Sequence, residues 1–361
     1  MKLVWFHLKY ITFLILVLIS LYCNSLSFLT QIHIAFRHGE RSPTNTFPND
    51  PYINYSWPGG WGQLTNRGKL QMYELGKLMR LEYSNFIPRT YWPKDVNVTS
   101  SYSERCLMSA ELFSAGLFPP EGSQIWNNDL LWQPLPIYYA PRDQDTTIAM
   151  KAACTKYDKI FKEIRVSPAI MEIENKYNDL KKYLTHHTGM LVKDIEDIES
   201  LSNTLEIEKS QNFTLPSWVN KSMMATMKEL GARNLALYSE TEYMKRMKGG
   251  IFLKNVIDSM EKTINGVVTP TLYLYAAHDL TLVHILRTLN LIDILKPEFG
   301  AVLIFELYSD GEIKINYRNA WNAVPVTQVT ANCPTPCSLN DFKKSLERVL
   351  PVDFNQECSL D

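Results

Sequence analysis

Hydrophobic and polar positions fall into two regimes along this chain. Ile32-His33-Ile34-Ala35-Phe36 is a short apolar run that stops at Arg37-His38-Gly39 and reads as a buried strand. The Pro-, Gly- and Asn-rich stretch from Pro43 to Gly62 must be loop. Leu64-Thr65-Asn66-Arg67-Gly68 then leads into Leu70–Met79, where apolar residues recur at three and four, the spacing of an amphipathic helix. Asp95–Ser101 reads as a second strand with Val96 and Val98 on one face, and Glu104–Gly116 as a helix stopped before Pro119-Pro120. From about 120 to 250 the character changes to Pro-rich connections and long charged helical stretches, Tyr157–Ser210 and Trp218–Lys248. Regularity returns with a strand at Thr271–Ala277, a helix at Leu280–Leu289, and strands at Ala301–Tyr308 and Glu312–Tyr317 joined by the turn Ser309-Asp310-Gly311. Strand–helix alternation at both ends predicts an α/β sheet interrupted by a helical region.

The 361 residues, 45% hydrophobic and 21% charged, suffice for one large domain or two modest ones. A net charge of −1 points away from nucleic acid and from an anionic membrane surface. Lys2 and Lys9 followed by the apolar stretch Tyr10–Tyr22 and small residues at Ser25 and Ser27 read as a signal peptide over 1–25. That run is shorter than the ~20 residues of a membrane span, so the expectation is a secreted or lysosomal protein without an anchor. Cys23 would leave with the signal. Cys106, Cys154, Cys333, Cys337 and Cys358 remain, an odd number for an oxidising compartment. Cys333-Pro334-Thr335-Pro336-Cys337 suits a tight disulfide better than half a zinc site, because no second pair lies near. Asn-x-Ser/Thr sequons stand at Asn54, Asn97, Asn212 and Asn220; Asn97 falls in a predicted strand, whereas Asn212 precedes a plausible exposed loop.

The chemistry concentrates in Arg37-His38-Gly39-Glu40-Arg41-Ser42-Pro43, at the end of the first strand. Arginine presents planar, permanently charged donors that match phosphate oxygens in pairs. A neutral imidazole between two of them can attack phosphorus and form a covalent intermediate. Five fixed residues at these spacings arise by chance about once in 10^4 chains at roughly 5% usage each. His278-Asp279 occupies the same kind of place, where a strand ends before a helix. A carboxylic acid there could protonate a leaving alkoxide, and the imidazole could hold phosphate oxygens. Taken alone, Asp279 would pass for a helix cap.

These motifs, with Leu107-Met108-Ser109-Ala110, Leu117–Gly122, Leu131-Trp132-Gln133-Pro134, Asn212–Trp218 and Cys333–Cys337, resemble the histidine acid phosphatases, branch 2 of the histidine phosphatase superfamily. The similarity is to the prostatic and lysosomal animal enzymes and, in general layout, to the insect venom ones. It implies an open mixed sheet flanked by helices on both faces, built from 26–120 and 250–361, with a smaller, mostly helical inserted domain at 121–249. It further implies hydrolysis of small phosphomonoesters, with His38 as nucleophile, Asp279 as proton donor, and Arg37, Arg41 and His278 holding the phosphate. No metal or other cofactor is implied. Disulfides Cys333–Cys337 and Cys154–Cys358 follow from the same resemblance, which leaves Cys106 over, and a homodimer is compatible with it.

One departure stands out. The resemblance implies a third phosphate-binding arginine at the end of the second strand, in a pattern like Arg-Ser-Thr-x-x-x-Arg; aligned here, the last arginine is Arg105 and the first falls on Thr99. Reading position 99 as the phosphate ligand predicts a lost charge, and so a weakly active or inactive phosphate-binding relative as the alternative to an enzyme. Other residues invite chemistry without needing it. His186-His187 lacks a third metal ligand, His33 and His284 suit a core strand and a helix, the tryptophans suit loop anchors, and Cys106 has no evident base.

Overall fold

A computed structural model describes residues 27–359 apart from 292–293, 295, 329–332 and 334. The segment read as a signal peptide, Cys23 included, lies outside the described residues. Among the described residues no helix is long and apolar enough to cross a membrane.

Among the described residues seven strands form one sheet: β1 (Leu29–Arg37), β2 (Val96–Ser100), β3 (Leu272–Ala277), β4 (Val302–Tyr308), β5 (Glu312–Arg318), β6 (Val326–Gln328) and β7 (Cys337–Ser338). Their order is β2-β3-β1-β4-β5-β6, with β7 paired to β5. β1, β2 and β3 run parallel; β4, β5 and β6 run antiparallel. Arg37 stands opposite Ala277, and Ser100 opposite Ala276. Three strands therefore end side by side at one edge, where parallel sheets place their ligands.

Four helices cover the sheet. α1 (Asn66–Glu82) and α2 (Glu104–Leu117) lie on one face; α9 (Gly249–Ile264) and α10 (Asp279–Thr288) lie on the other. The two-residue period of β1 explains the sorting. Ile32, Ile34 and Phe36 pack with Met72, Leu75 and Phe113, whereas Ala35 packs with Phe252, Leu282 and Phe305. α1 and α2 cross at contact distance: a Cβ on Gly76 would stand 2.1 Å from the Phe113 carbonyl oxygen. His33, fully buried, hydrogen-bonds Tyr275 and Gln31 and stacks on Tyr273, so it is a core imidazole, and burial pushes it down to about 3.

The middle of the chain is helical, but in shorter pieces than the charge pattern suggests. α3 (Thr155–Arg165), α4 (Pro168–Lys176), α5 (Asn178–Thr188) and α6 (Ile195–Ser210) replace the first long stretch. Ser167-Pro168 breaks it once, and Gly189, left-handed at φ 73°, ends α5. α7 (Lys221–Leu237) and α8 (Glu242–Met247) replace the second, each opened by a side-chain cap, Asn220 or Thr241. The region has its own apolar cluster around Leu184, Ile198, Leu205 and Met227. A disulfide ties Cys154, just before α3, to Cys358 in α12 (Phe354–Cys358), beyond α11 (Leu339–Ser345). Cys333 pairs with Cys337, and Cys106 is a buried free thiol.

Candidate functional site

The site forms where β1, β2 and β3 end. The His38 amide donates to the Ala277 carbonyl at 3.0 Å and the Ser101 amide to the Ala276 carbonyl at 3.0 Å. These bonds fix the loops after the three strands relative to one another. Gly39 passes so close to α1 that a Cβ would stand 2.3 Å from the Gly68 carbonyl oxygen, and a Cβ on Gly68 would stand 1.9 Å from that of Glu40. The loop after β1 and the first turn of α1 are thus in backbone contact. Glu40, buried, accepts from Thr65 and Gln211, which joins this loop to the end of α6. Gly68→Ala should push the loop off the helix and cost about 2–3 kcal/mol, as overpacking does. Thermal unfolding would read it as a drop in Tm of several degrees, accompanied by lost activity.

His38 is almost fully buried. Its Nδ1 lies 2.9 Å from the Gly39 carbonyl, a contact that requires N–H there and leaves Nε2 as the unprotonated ring nitrogen. The Arg105 Nε donates to that Nε2 at 3.1 Å. Burial first, then Arg105, Arg37, His278 and Arg41, holds the His38 pKa well below its usual value, so the ring is neutral at acid pH.

Arg37 donates Nη1 to the Pro297 carbonyl at 2.6 Å and lies 4.1 Å over the Phe299 ring. Its Nη2 stands 2.7 Å from Asp279 Oδ2, but without hydrogen-bond alignment. Nε and Nη2 of Arg37 and Nε of Arg41 are buried donors without an acceptor. Buried cations with unused donors call for an oxyanion. Burial, with Arg37 and Arg105 nearby, pushes Arg41 down to about 10, still charged in acid.

His278 follows β3 and caps the start of α10. Its Nε2 meets Ser101 Oγ at 2.9 Å and its Nδ1 lies 3.4 Å from Arg105 Nη2. Burial and Arg105 push it down to about 3. Asp279 opens α10, where its Oδ1 accepts the Leu280 amide at 2.8 Å. Burial alone would raise its pKa, yet Arg37, His278 and Arg41 hold it well below the usual carboxylate range. The five residues singled out from the sequence, Arg37, His38, Arg41, His278 and Asp279, are brought together.

Position 99 is not among them. Thr99 lies inside β2 on the opposite face from Val98 and Ser100, and its hydroxyl donates to Asn97 at 2.9 Å. Thr99, read from the sequence as a lost phosphate ligand, thus has its side chain off the sheet face, as a strand-interior residue must, and not past the strand's end. Arg105, in the first turn of α2, supplies the third guanidinium. A signal for it was present: a cation at a helix N-terminus opposes the helix dipole and so asks for another partner. Ser101 and Phe299 are further members that sequence reasoning missed. Cys106 touches His278 at 3.7 Å, but burial pushes its thiol up to about 12, which leaves no thiolate.

The remaining candidates have structural duties. His284 Nδ1 meets Ser239 Oγ at 2.5 Å. His187 stacks on Trp218, and Trp57 packs against Tyr55 and Phe213 to anchor the long loop.

Known proteins of similar sequence and fold place the chain in a family. The family model described as histidine phosphatase superfamily (branch 2) matches residues 28–322. The chain is 32% identical over 346 residues to human (Homo sapiens) lysosomal acid phosphatase, covering 93% of this chain and 81% of the relative. It is 34% identical over 340 residues to Bos taurus prostatic acid phosphatase, covering 92% and 88%. In structure it is similar to the Hafnia alvei phytase in complex with myo-inositol hexakis sulphate, with a TM-score of 0.70 at 16% identity over 93% of this chain and 100% of that one.

Proposed function

The chain belongs to branch 2 of the histidine phosphatase superfamily, and from that premise we propose that it is a secreted acid phosphatase acting on small phosphomonoesters without a metal. The observation that carries this reading is the unprotonated Nε2 of a neutral His38, which accepts from Arg105 and stands among the guanidinium groups of Arg37, Arg41 and Arg105.

The phosphate of the ester enters the cradle and takes up the unused arginine donors. His38 Nε2 attacks phosphorus, the P–O bond to the alcohol breaks, and a P–N bond forms. The leaving oxygen takes the proton of Asp279. Asp279 is ionised in the free enzyme because burial is outweighed by Arg37, His278 and Arg41. A bound phosphate brings negative charge to those same cations, offsets their field and raises the Asp279 pKa. The proton donor is therefore formed with the substrate and is lost as the pH rises. Water then attacks phosphorus, its proton passes to Asp279, the P–N bond breaks and phosphate leaves. Phosphate release regenerates neutral His38. The helical unit 121–249 forms one wall of the site, through Gln211 at Glu40.

Hydrolysis of 4-nitrophenyl phosphate from pH 4 to 8 with EDTA present tests this. Turnover should be highest in acid, fall toward pH 8 and be unaffected by the chelator. Folded protein with no turnover, or turnover abolished by EDTA, would refute the reading.

A further inference from the structure

The tautomer of His278 can be read from its two contacts. Nε2 lies 2.9 Å from Ser101 Oγ, and Nδ1 lies 3.4 Å from Arg105 Nη2. A guanidinium nitrogen only donates, so Nδ1 must be the acceptor of that contact. A neutral ring then carries its single proton on the other nitrogen, and Nε2–H donates to Ser101 Oγ. The opposite tautomer would set an N–H of His278 against an N–H of Arg105. Burial and Arg105 push His278 down to about 3, so the ring is neutral at moderately acid pH. The Cys106 thiol packs against the ring at 3.7 Å and has its own acceptor, the Ala277 carbonyl at 3.5 Å.

Ser101 is built to hold this bond. It is 1% exposed, its amide donates to the Ala276 carbonyl of β3, and its own carbonyl accepts from Ser100 Oγ at 2.9 Å and from the Ser103 amide at 2.7 Å. The pairing of β2 with β3 thus fixes its hydroxyl beside His278. Arg105 in turn faces two imidazoles, with Nε on His38 Nε2 at 3.1 Å and Nη2 on His278. The first of these contacts must open before reaction, because the lone pair it occupies is the one that attacks phosphorus.

We propose that Ser101 and His278 are positioning residues: Ser101 accepts from His278 Nε2–H, and the Nδ1 lone pair this leaves holds Arg105 while its Nε passes from His38 to a phosphate oxygen. This inference rests on the acid phosphatase reading above. Both nitrogens of His278 are spent inside the protein, so the phosphate is held by Arg37, Arg41 and Arg105. A hydrogen bond at the far nitrogen is how a histidine's tautomer and ring orientation are commonly fixed.

Two-bond proton–nitrogen NMR spectra of protein with isotope-labelled histidine, with His278→Gln to assign the ring, read the tautomer directly. Wild type should show a protonated Nε2 and an unprotonated Nδ1; a proton on Nδ1 would overturn the proposal. Ser101→Thr, which keeps the hydroxyl, should keep this tautomer and hold kcat within about twofold. Ser101→Ala should move the ring toward a mixture of tautomers and lower kcat for 4-nitrophenyl phosphate about tenfold, the scale of one hydrogen bond. In an Arg105→Ala background the same change should cost less than about twofold, since the group it acts through is gone. A full tenfold loss in that background would give Ser101 another duty and sink the idea. If wild type hydrolyses no ester, the phosphatase reading fails by itself. The tautomer is still read, and the Kd of inorganic phosphate for wild type, the two single variants and the double variant replaces kcat, with the same coupling expected.

Discussion

Replacing His38 by alanine should lower kcat for aryl phosphate hydrolysis at pH 5 by at least about 10^3-fold, the scale on which enzymes lose rate with their nucleophile. The loss follows from geometry. His38 Nε2 is the unprotonated ring nitrogen among the arginines, because Nδ1 carries its proton to the Gly39 carbonyl. His278, the other imidazole nearby, spends its Nε2 on Ser101. Neither Cys106, held as a thiol, nor His33, enclosed in the core, can substitute. The variant should keep the wild-type far-UV circular dichroism, since removing the ring leaves the His38 amide bond to Ala277 in place. It should also lose the acid-labile phosphoryl adduct that wild type forms when quenched during turnover. Retention of that adduct in the variant would assign the nucleophile elsewhere.

The second large effect concerns the third arginine. Arg105→Ala should lower kcat about 10^2- to 10^3-fold, the range for removing one charged or hydrogen-bonding stabiliser of the transition state. Arg105→Lys should recover only part of this, because an ammonium cannot reproduce a planar, forked donor set. Thr99→Arg should leave kcat within about twofold of wild type, because the position 99 side chain faces Asn97 on the sheet surface and not His38. A tenfold gain in Thr99→Arg together with an unaffected Arg105→Ala would return the third phosphate ligand to position 99. The two arginine positions are six residues apart in sequence, so the kinetics of three single variants separate them.

Much of the fold was legible because its core strands and helices repeat their local patterns without interruption. β1 carries the stretch Ile32–Phe36, apolar but for His33 and buried throughout, which is how a strand covered on both faces reads. The turn at Ser309-Asp310-Gly311 announced the β4–β5 hairpin, and Gly311 takes the positive φ of 83° that the turn needs. The short strands β6 and β7 carried no such pattern: two or three residues are too few to show a period. The helical region was legible in kind but not in its breaks, since a run of charged, helix-favouring residues does not reveal which Ser-Pro or Gly will bend the chain.

The candidate site divides in the same way. Arg37, His38 and Arg41 lie within five residues, and His278 and Asp279 are adjacent, so local sequence was enough to mark them. The sequence by itself determined the chemistry: which side chains could attack, protonate and bind, and that two strand ends would carry them. Only the tertiary structure decided which third cation joins them, because Arg105 reaches His38 across 67 residues of chain through the parallel pairing of β2, β3 and β1. Side-chain type is a local property, whereas proximity between distant segments depends on how strands register and helices cross, and those are set by the whole core at once.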